Sequence, residues 1–250
     1  MRYFLKIAYD GTDFHGWQRQ PNASSIQQTL EEALSLILRN PTAIVGAGRT
    51  DTGVHASEMF AHFDASEIED KDRFLRSLNR LIGKDISITD LIRTIPEAHA
   101  RFDAISRSYR YNINLYKDPF SHRFSHEMSR MPDVDKMNKA ASILLDVSDF
   151  TSFAKLHSDS KTNICKVTEA KWHADELNGK LYFTITADRF LRNMVRAVVG
   201  TLIDVGTGKI SIEEFIDVIN KKDRCEAGMS MPAKGLFLYK IVYPKEIFEL

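Results

Sequence analysis

Two hydrophobic periods alternate along this chain, and they do so twice in the same order. Tyr3 to Tyr9 has the pattern of a strand and runs into Asp10-Gly11, a turn signal. Ser25 to Gln28 reads as a capping box. Behind it Ile26, Leu30, Ala33, Leu34, Ile37 and Leu38 recur at helical spacing until Pro41 stops them. Thr42 to Gly46 and Met59 to Phe63 are short strand candidates. Phe74, Leu75, Leu78, Leu81 and Ile82 mark a second helix ending at Gly83, and Ile86 to Ile95 is strand-like before Pro96. From Tyr109 the plan recurs with additions. Tyr109, Tyr111, Ile113 and Leu115 alternate as a strand, and Met137 to Leu145 is helical. Val167 to Trp172 and Leu181 to Thr186 flank the hairpin signal Asn178-Gly179. Phe190 to Leu202 and Ile212 to Ile219 are helical, and Leu236 to Val242 closes as a strand. The expectation is an α+β fold of two similar domains, 1–103 and 104–250, each an antiparallel or mixed sheet with helices on one face.

A length of 250 residues fits one large domain or two ordinary ones. Lys plus Arg and Asp plus Glu are 34 each, so no overall field announces a nucleic-acid partner and local charge has to decide. Cys165 and Cys225 are the only cysteines, too few for a disulfide framework or a CxxC metal motif, which fits a reducing compartment. The N-terminal apolar run is interrupted by Lys6 and has no signal-peptide core, and nowhere do 18 uncharged apolar residues run together. A soluble, cytoplasmic protein is expected.

Asp51 stands in Gly46-Ala47-Gly48-Arg49-Thr50-Asp51-Thr52-Gly53-Val54-His55-Ala56, with three glycines around one carboxylate. Glycine tolerates positive φ and close backbone approach, so such a loop could present a single acid to a pocket as nucleophile or base. An Asp that caps its own turn has the same spacing. A phosphate-cradling loop would need Gly-Lys-Ser/Thr where Gly53 is followed by Val54 and His55. A magnesium site would usually want a second acid beside Asp51, and the next are Glu58 and Asp64.

Local charge gathers in two places. Arg101, Arg107, Arg110, Lys117, Arg123 and Arg130 are interleaved with Tyr109, Tyr111, Tyr116, Phe120 and Phe124, a mixture that suits an RNA backbone with stacked bases and equally a solvated strand face. Arg189, Arg192 and Arg196 would share one side of a helix, opposite Phe190, Met194, Val195, Val198 and Leu202. That side could offer a guanidinium to a carboxylate or to phosphates, or simply face water. His55 and His62 form no HxH or HxxxH pair, so no metal site is expected, and no Gly-x-Ser-x-Gly elbow is present.

Gly48-Arg49-Thr50-Asp51-Thr52-Gly53-Val54-His55-Ala56 resembles the signature of the tRNA pseudouridine synthase A family. Tyr9-Asp10-Gly11-Thr12 with Phe14, Gly16-Trp17-Gln18 and Gln20 resembles the family's opening motif. His99, Arg101-Phe102, Arg107 and Tyr109-Arg110-Tyr111 resemble the central one, and Phe190, Met194-Val195-Arg196, Val199-Gly200, Gly235-Leu236, Leu238, Val242 and Tyr243 complete the series. Ala98, Arg192-Asn193 and Met231 depart mildly from it. The resemblance implies isomerisation of uridines at positions 38, 39 and 40 of the tRNA anticodon stem-loop. It implies a catalytic Asp51, a Tyr109 that packs on the target base, an Arg196 paired with the Asp51 carboxylate and an Arg49 that helps hold the base out of its stack. Arg107, Arg110, Arg189 and Arg192 are the further candidates for RNA contact. The family resemblance also implies two domains around a central basic cleft, a homodimer, and no metal or cofactor. Two rivals use part of the same pattern: a non-catalytic RNA-binding or RNA-folding protein, which has no use for Asp51, and a phosphotransferase with an aspartyl nucleophile, which would also need a metal site.

Overall fold

The computed structural model of the chain describes residues 1–156 and 161–248, among which five α-helices and nine strands form an α+β fold. It divides into two compact units, Met1–Ile105 with Leu238–Leu250, and Ser106–Phe237.

The first unit runs β1 (Arg2–Tyr9), α1 (Ile26–Leu38), β2 (Val45–Gly46), β3 (His55–Asp64), α2 (Lys71–Leu81) and β4 (Ile86–Thr94). Its sheet is ordered β4-β1-β3, with β2 paired to β3 and the late strand β9 (Leu236–Val242) next to β3. Strand β1 is antiparallel to both neighbours. Phe4, Leu5 and Ile7 on it are wholly buried, because both faces are covered. On one, Phe4 meets the edges of Tyr243 and Phe248; on the other, Tyr3 and Phe74 both stack with Phe63. A strand buried on both sides needs apolar residues in succession, which is why Phe4-Leu5 interrupts strict alternation. Ser25 caps α1 by accepting from the Gln28 N–H. The Gln28 amide nitrogen donates onward to Glu32 at 2.8 Å. Asn79 fastens α2 to β4 through both the N–H and the C=O of Ile88.

The second unit runs β5 (Ser106–Asn114), β6 (His126–Glu127), α3 (Val134–Ile143), β7 (Val167–Asp175), β8 (Lys180–Ala187), α4 (Met194–Gly206) and α5 (Ile212–Lys221). Its sheet is ordered β5-β8-β7, antiparallel throughout, with β6 parallel to β5. The repeated order has a repeated pairing. In each unit a hairpin, β2–β3 or β7–β8, lays its second strand antiparallel against the first long strand, β1 or β5. Tyr111, Phe183 and Trp172 form one buried cross-strand row, and Asn138 of α3 bonds the N–H and C=O of Trp172. The β7–β8 turn takes four residues, 176–179, with Gly179 at φ +58°.

Two expected elements are displaced. The strand over Thr42 to Gly46 contracts to Val45–Gly46. The helix over Phe190 to Leu202 begins only at Met194, because Asn193 before it has φ +66°, and continues to Gly206. No helix among the described residues is long and apolar enough to cross a membrane.

Candidate active site

Asp51 lies on the loop from β2 to β3 and is half-buried, flanked by exposed Arg49 and buried Thr50. The loop has almost no secondary structure of its own, so its position is set from outside. Val54 N–H closes a turn on the Asp51 carbonyl at 3.1 Å. The segment after β1 supplies the rest of the frame. Trp17 N–H donates to the Thr50 carbonyl, Gly53 N–H donates to the Phe14 carbonyl, and the Tyr9 hydroxyl shares a 2.8 Å hydrogen bond with the Thr50 hydroxyl.

Contact between these two segments is too close for side chains. A Cβ on Gly11 would stand 2.0 Å from the Val54 oxygen, and one on Gly46 would stand 2.5 Å from the Trp17 ring. Of the three glycines around Asp51, Gly53 has positive φ, at +75°, whereas Gly46 is required by the Trp17 contact and Gly48 has open space above its Cα. His55, fully buried at the start of β3, ties the frame to Asp10-Gly11. Its Nδ1 is 3.0 Å from the Gly11 N–H and 3.1 Å from Asp10 Oδ1. One nitrogen cannot serve both in one state: a bare Nδ1 accepts from Gly11, and an Nδ1 that carries a proton donates to Asp10. Tyr9, Gly11, Gly16, Trp17 and His55 thus act as the mount of the acid. Their sequence signal was two glycines and a buried aromatic within a short turn-rich segment, but nothing local says that the segment's partner is the Asp51 loop.

The other candidates lie in the second unit. Tyr109 is half-buried on β5, where its ring meets the edge of Phe190 at 4.9 Å and 81°. Arg107 donates to the Asp188 carbonyl at 2.8 Å. Exposed Arg110 lies over the Tyr182 ring, 3.8 Å from its centroid, a cation–π contact. Arg196 is half-buried in the first turn of α4 and donates from Nε to the Met231 carbonyl at 2.5 Å. The Met231 N–H returns a bond to the Arg196 carbonyl. Tyr111 donates to the Pro232 carbonyl next to it; burial raises its pKa, and the Arg196 charge opposes that rise.

Arg189 and Arg192 do not share a helix face with Arg196. Both precede α4, in a segment held by other bonds. Asp188 Oδ1 accepts from the N–H groups of Lys166 and Arg189, the Arg192 carbonyl accepts from Lys155 N–H, and Asn193 donates to the Ser230 hydroxyl. A helix from Phe190 would need the Arg192 carbonyl that Lys155 takes, and Asn193 has φ +66°, so periodicity over-extended the helix. Arg192 is exposed and Arg189 half-buried. Among the described residues no group of three or more His, Cys, Asp or Glu side chains is placed to hold a metal ion.

A family model described as tRNA pseudouridine synthase matches residues 140–244. The chain is 53% identical to tRNA pseudouridine synthase A of Bacteroides fragilis over 249 residues, 99% of this chain and 98% of that protein. It is 51% identical to the Parabacteroides distasonis protein of the same name over 249 residues, with 99% and 98% covered. The Porphyromonas gingivalis protein, also of that name, is 51% identical over 249 residues, with 99% of each chain covered. With about half of its residues shared over 99% of its length, the chain belongs to the tRNA pseudouridine synthase A family.

Proposed function

We propose that this chain converts uridines 38, 39 and 40 of the tRNA anticodon stem-loop to pseudouridine, with Asp51 as the acting carboxylate. The reaction breaks the C1′–N1 bond, turns uracil in place and forms C1′–C5, while the proton on C5 is lost and N1 gains one. Atoms and electrons balance within the nucleotide, so the isomerisation makes no demand for a redox partner. A carboxylate suits it by adding to the base or the sugar, or by removing a ribose proton. In this reading Arg196 pairs with the Asp51 carboxylate and favours its ionised form. Tyr109 stacks on the detached uracil and keeps water from it. Arg49 holds the target nucleotide out of its stack, at a cost of a few kcal/mol that is lower beside a loop than in mid-stem. Arg107, Arg110, Arg189 and Arg192 serve the phosphates of a basic cleft between two domains. The working form in this reading is a cytoplasmic homodimer.

The observation that carries the proposal is the Asp51 loop, pinned by the Gly11–Trp17 segment into one position, in a chain that matches proteins named tRNA pseudouridine synthase A from end to end. A carboxylate that merely capped a turn would not need so elaborate a mount. Mapping pseudouridine in unmodified tRNA incubated with the pure protein tests it. Product at 38–40 is expected from the parent and none from Asp51→Asn, whose tRNA affinity should stay within about tenfold. Product from the Asn variant would remove Asp51 from the chemistry. Binding without product from the parent would favour an RNA-folding protein.

A further inference from the structure

Arg196 is held at Nε by the carbonyl of Met231, and Met231 is the last residue but one of a stretch, Asp223–Pro232, that belongs to no helix or strand. An irregular segment holds a carbonyl in place only if the segment itself is held. Two contacts fix it to α4, and a third clamps it internally. Its backbone lies directly on α4, where a Cβ on Gly200 would stand 1.9 Å from the Met229 oxygen. Gly228 N–H donates to the buried Thr201 hydroxyl at 2.9 Å. The third is Arg224. Its Nη1 donates to the carbonyls of Ala227 and Gly228 at 3.3 and 3.2 Å, and its Nη2 donates to the Ser230 hydroxyl at 2.7 Å. The same hydroxyl accepts from Asn193, the residue just before α4, at 2.6 Å.

Resting on the role proposed above for Arg196, we infer that Arg224 is a positioning residue for that arginine. One planar guanidinium gathers three acceptors of the 227–230 segment, and the segment delivers the Met231 carbonyl to Arg196 Nε. A chain of direct hydrogen bonds therefore runs from Arg224 through Ser230 to Asn193 at the start of α4. A second route runs along the backbone from Ser230 to Met231 and so to Arg196, two residues into the helix. A lysine carries the same charge but is a single donor centre and cannot bridge acceptors held on both sides of a planar fork. The geometry, not the charge, is what Arg224 supplies.

The test uses the full chain with Arg224→Ala, Arg224→Lys and Ser230→Ala, and reads two quantities. The first is the Arg196 Nε–H resonance, assigned as the one lost in Arg196→Lys. The second is the single-turnover rate on saturating unmodified tRNA, measured beside the dissociation constant. The resonance is expected to shift or broaden in all three variants. The rate should fall between about tenfold and 100-fold, the scale of a small misplacement of a catalytic group, while tRNA affinity holds within about twofold. Arg224→Lys should not rescue, which a purely electrostatic role would predict. An unmoved Arg196 resonance in folded Arg224→Lys or Ser230→Ala overturns the inference. The resonance also separates the two readings: if it moves but Arg196→Lys converts uridine at the parent rate, the positioning stands and the role given to Arg196 falls.

Discussion

Gly16 lies against Thr50 so closely that a Cβ on it would stand 2.4 Å from the Thr50 backbone oxygen, one residue before Asp51. Gly16 also has φ +88°. Gly16→Ala should therefore suffer a left-handed penalty of about 1–2 kcal/mol and push the Thr50 carbonyl away, lowering both the urea midpoint and turnover. Gly48→Ala meets nothing within 4 Å and should keep stability within about 0.5 kcal/mol. Urea melts of the two variants decide: a Gly16→Ala protein as stable as the parent rejects the close contact. Lost turnover in a stable Gly48→Ala protein would place substrate, rather than the fold, over Gly48.

The role proposed for Tyr109 is to stack on the detached uracil; in the structure its ring packs edge-to-face with Phe190. Tyr109→Phe should keep both contacts and most of the activity. Tyr109→Leu should impair single-turnover rate more than tRNA affinity, since base–aromatic stacking is worth about 1–3 kcal/mol. Equal rates for Leu and Phe would remove stacking from the role of Tyr109, and an inactive Phe variant would point to the hydroxyl.

His62 is expected to make the stability of the first unit depend on pH. It is buried on β3, its Nδ1 accepts from Ala100 N–H at 3.1 Å, and its ring lies 4.7 Å from that of His99. Burial first, then the charges of His99 and Arg2, lower its pKa from 6.5 to about 4; His99 is lowered too, chiefly by burial. In the unfolded chain a histidine protonates near about 6.5, so below that pH the unfolded state binds protons that the native state refuses. The stabilisation is complete above about pH 6.5 and is lost progressively as the pH falls towards about 4. Asp64, whose carboxylate the Arg2 hydrogen bond stabilises, loses its contribution only at still lower pH. Urea midpoints measured across this range should fall in the parent and fall less steeply in His62→Asn. Parallel curves would show that His62 carries none of the dependence.

Local order was legible where local chemistry sets it. The strand and helix patterns around Tyr3–Tyr9, Ile26–Leu38 and the Asn178-Gly179 hairpin depend on neighbours within a few residues, and the sequence shows those neighbours. The arginine face failed for a reason periodicity does not register. Asn193 takes a left-handed conformation and spends its amide on Ser230, so the helix starts after Arg192 although the apolar spacing runs on through it. The mount of Asp51 was out of reach because Gly11 and Val54, or Gly16 and Thr50, are paired by tertiary contact alone. The placing of Leu238–Leu250 with the first unit has the same cause: Ile241 N–H donates to Glu58 on β3, a partner no local pattern names.

The last prediction concerns the cations outside the helix. The formal net charge is zero, so tRNA affinity has to come from local groups, and each neutralised phosphate should contribute about −0.9 to the salt slope on duplex or roughly −0.7 on single strands. Arg192 has an exposed side chain, and Arg192→Ala should lower the slope by about one unit if it contacts phosphate. Arg110→Ala also removes the cation–π contact with Tyr182. Arg196→Ala should behave differently from both. Its Nε is committed to the Met231 carbonyl, and its proposed partner is a carboxylate rather than a phosphate, so the slope should hold while the single-turnover rate falls. Salt titrations of binding beside single-turnover rates test this directly. If Arg196→Ala lowers the slope as Arg192→Ala does and converts bound uridine at the parent rate, Arg196 is a phosphate contact and the pairing with Asp51 has no part in catalysis.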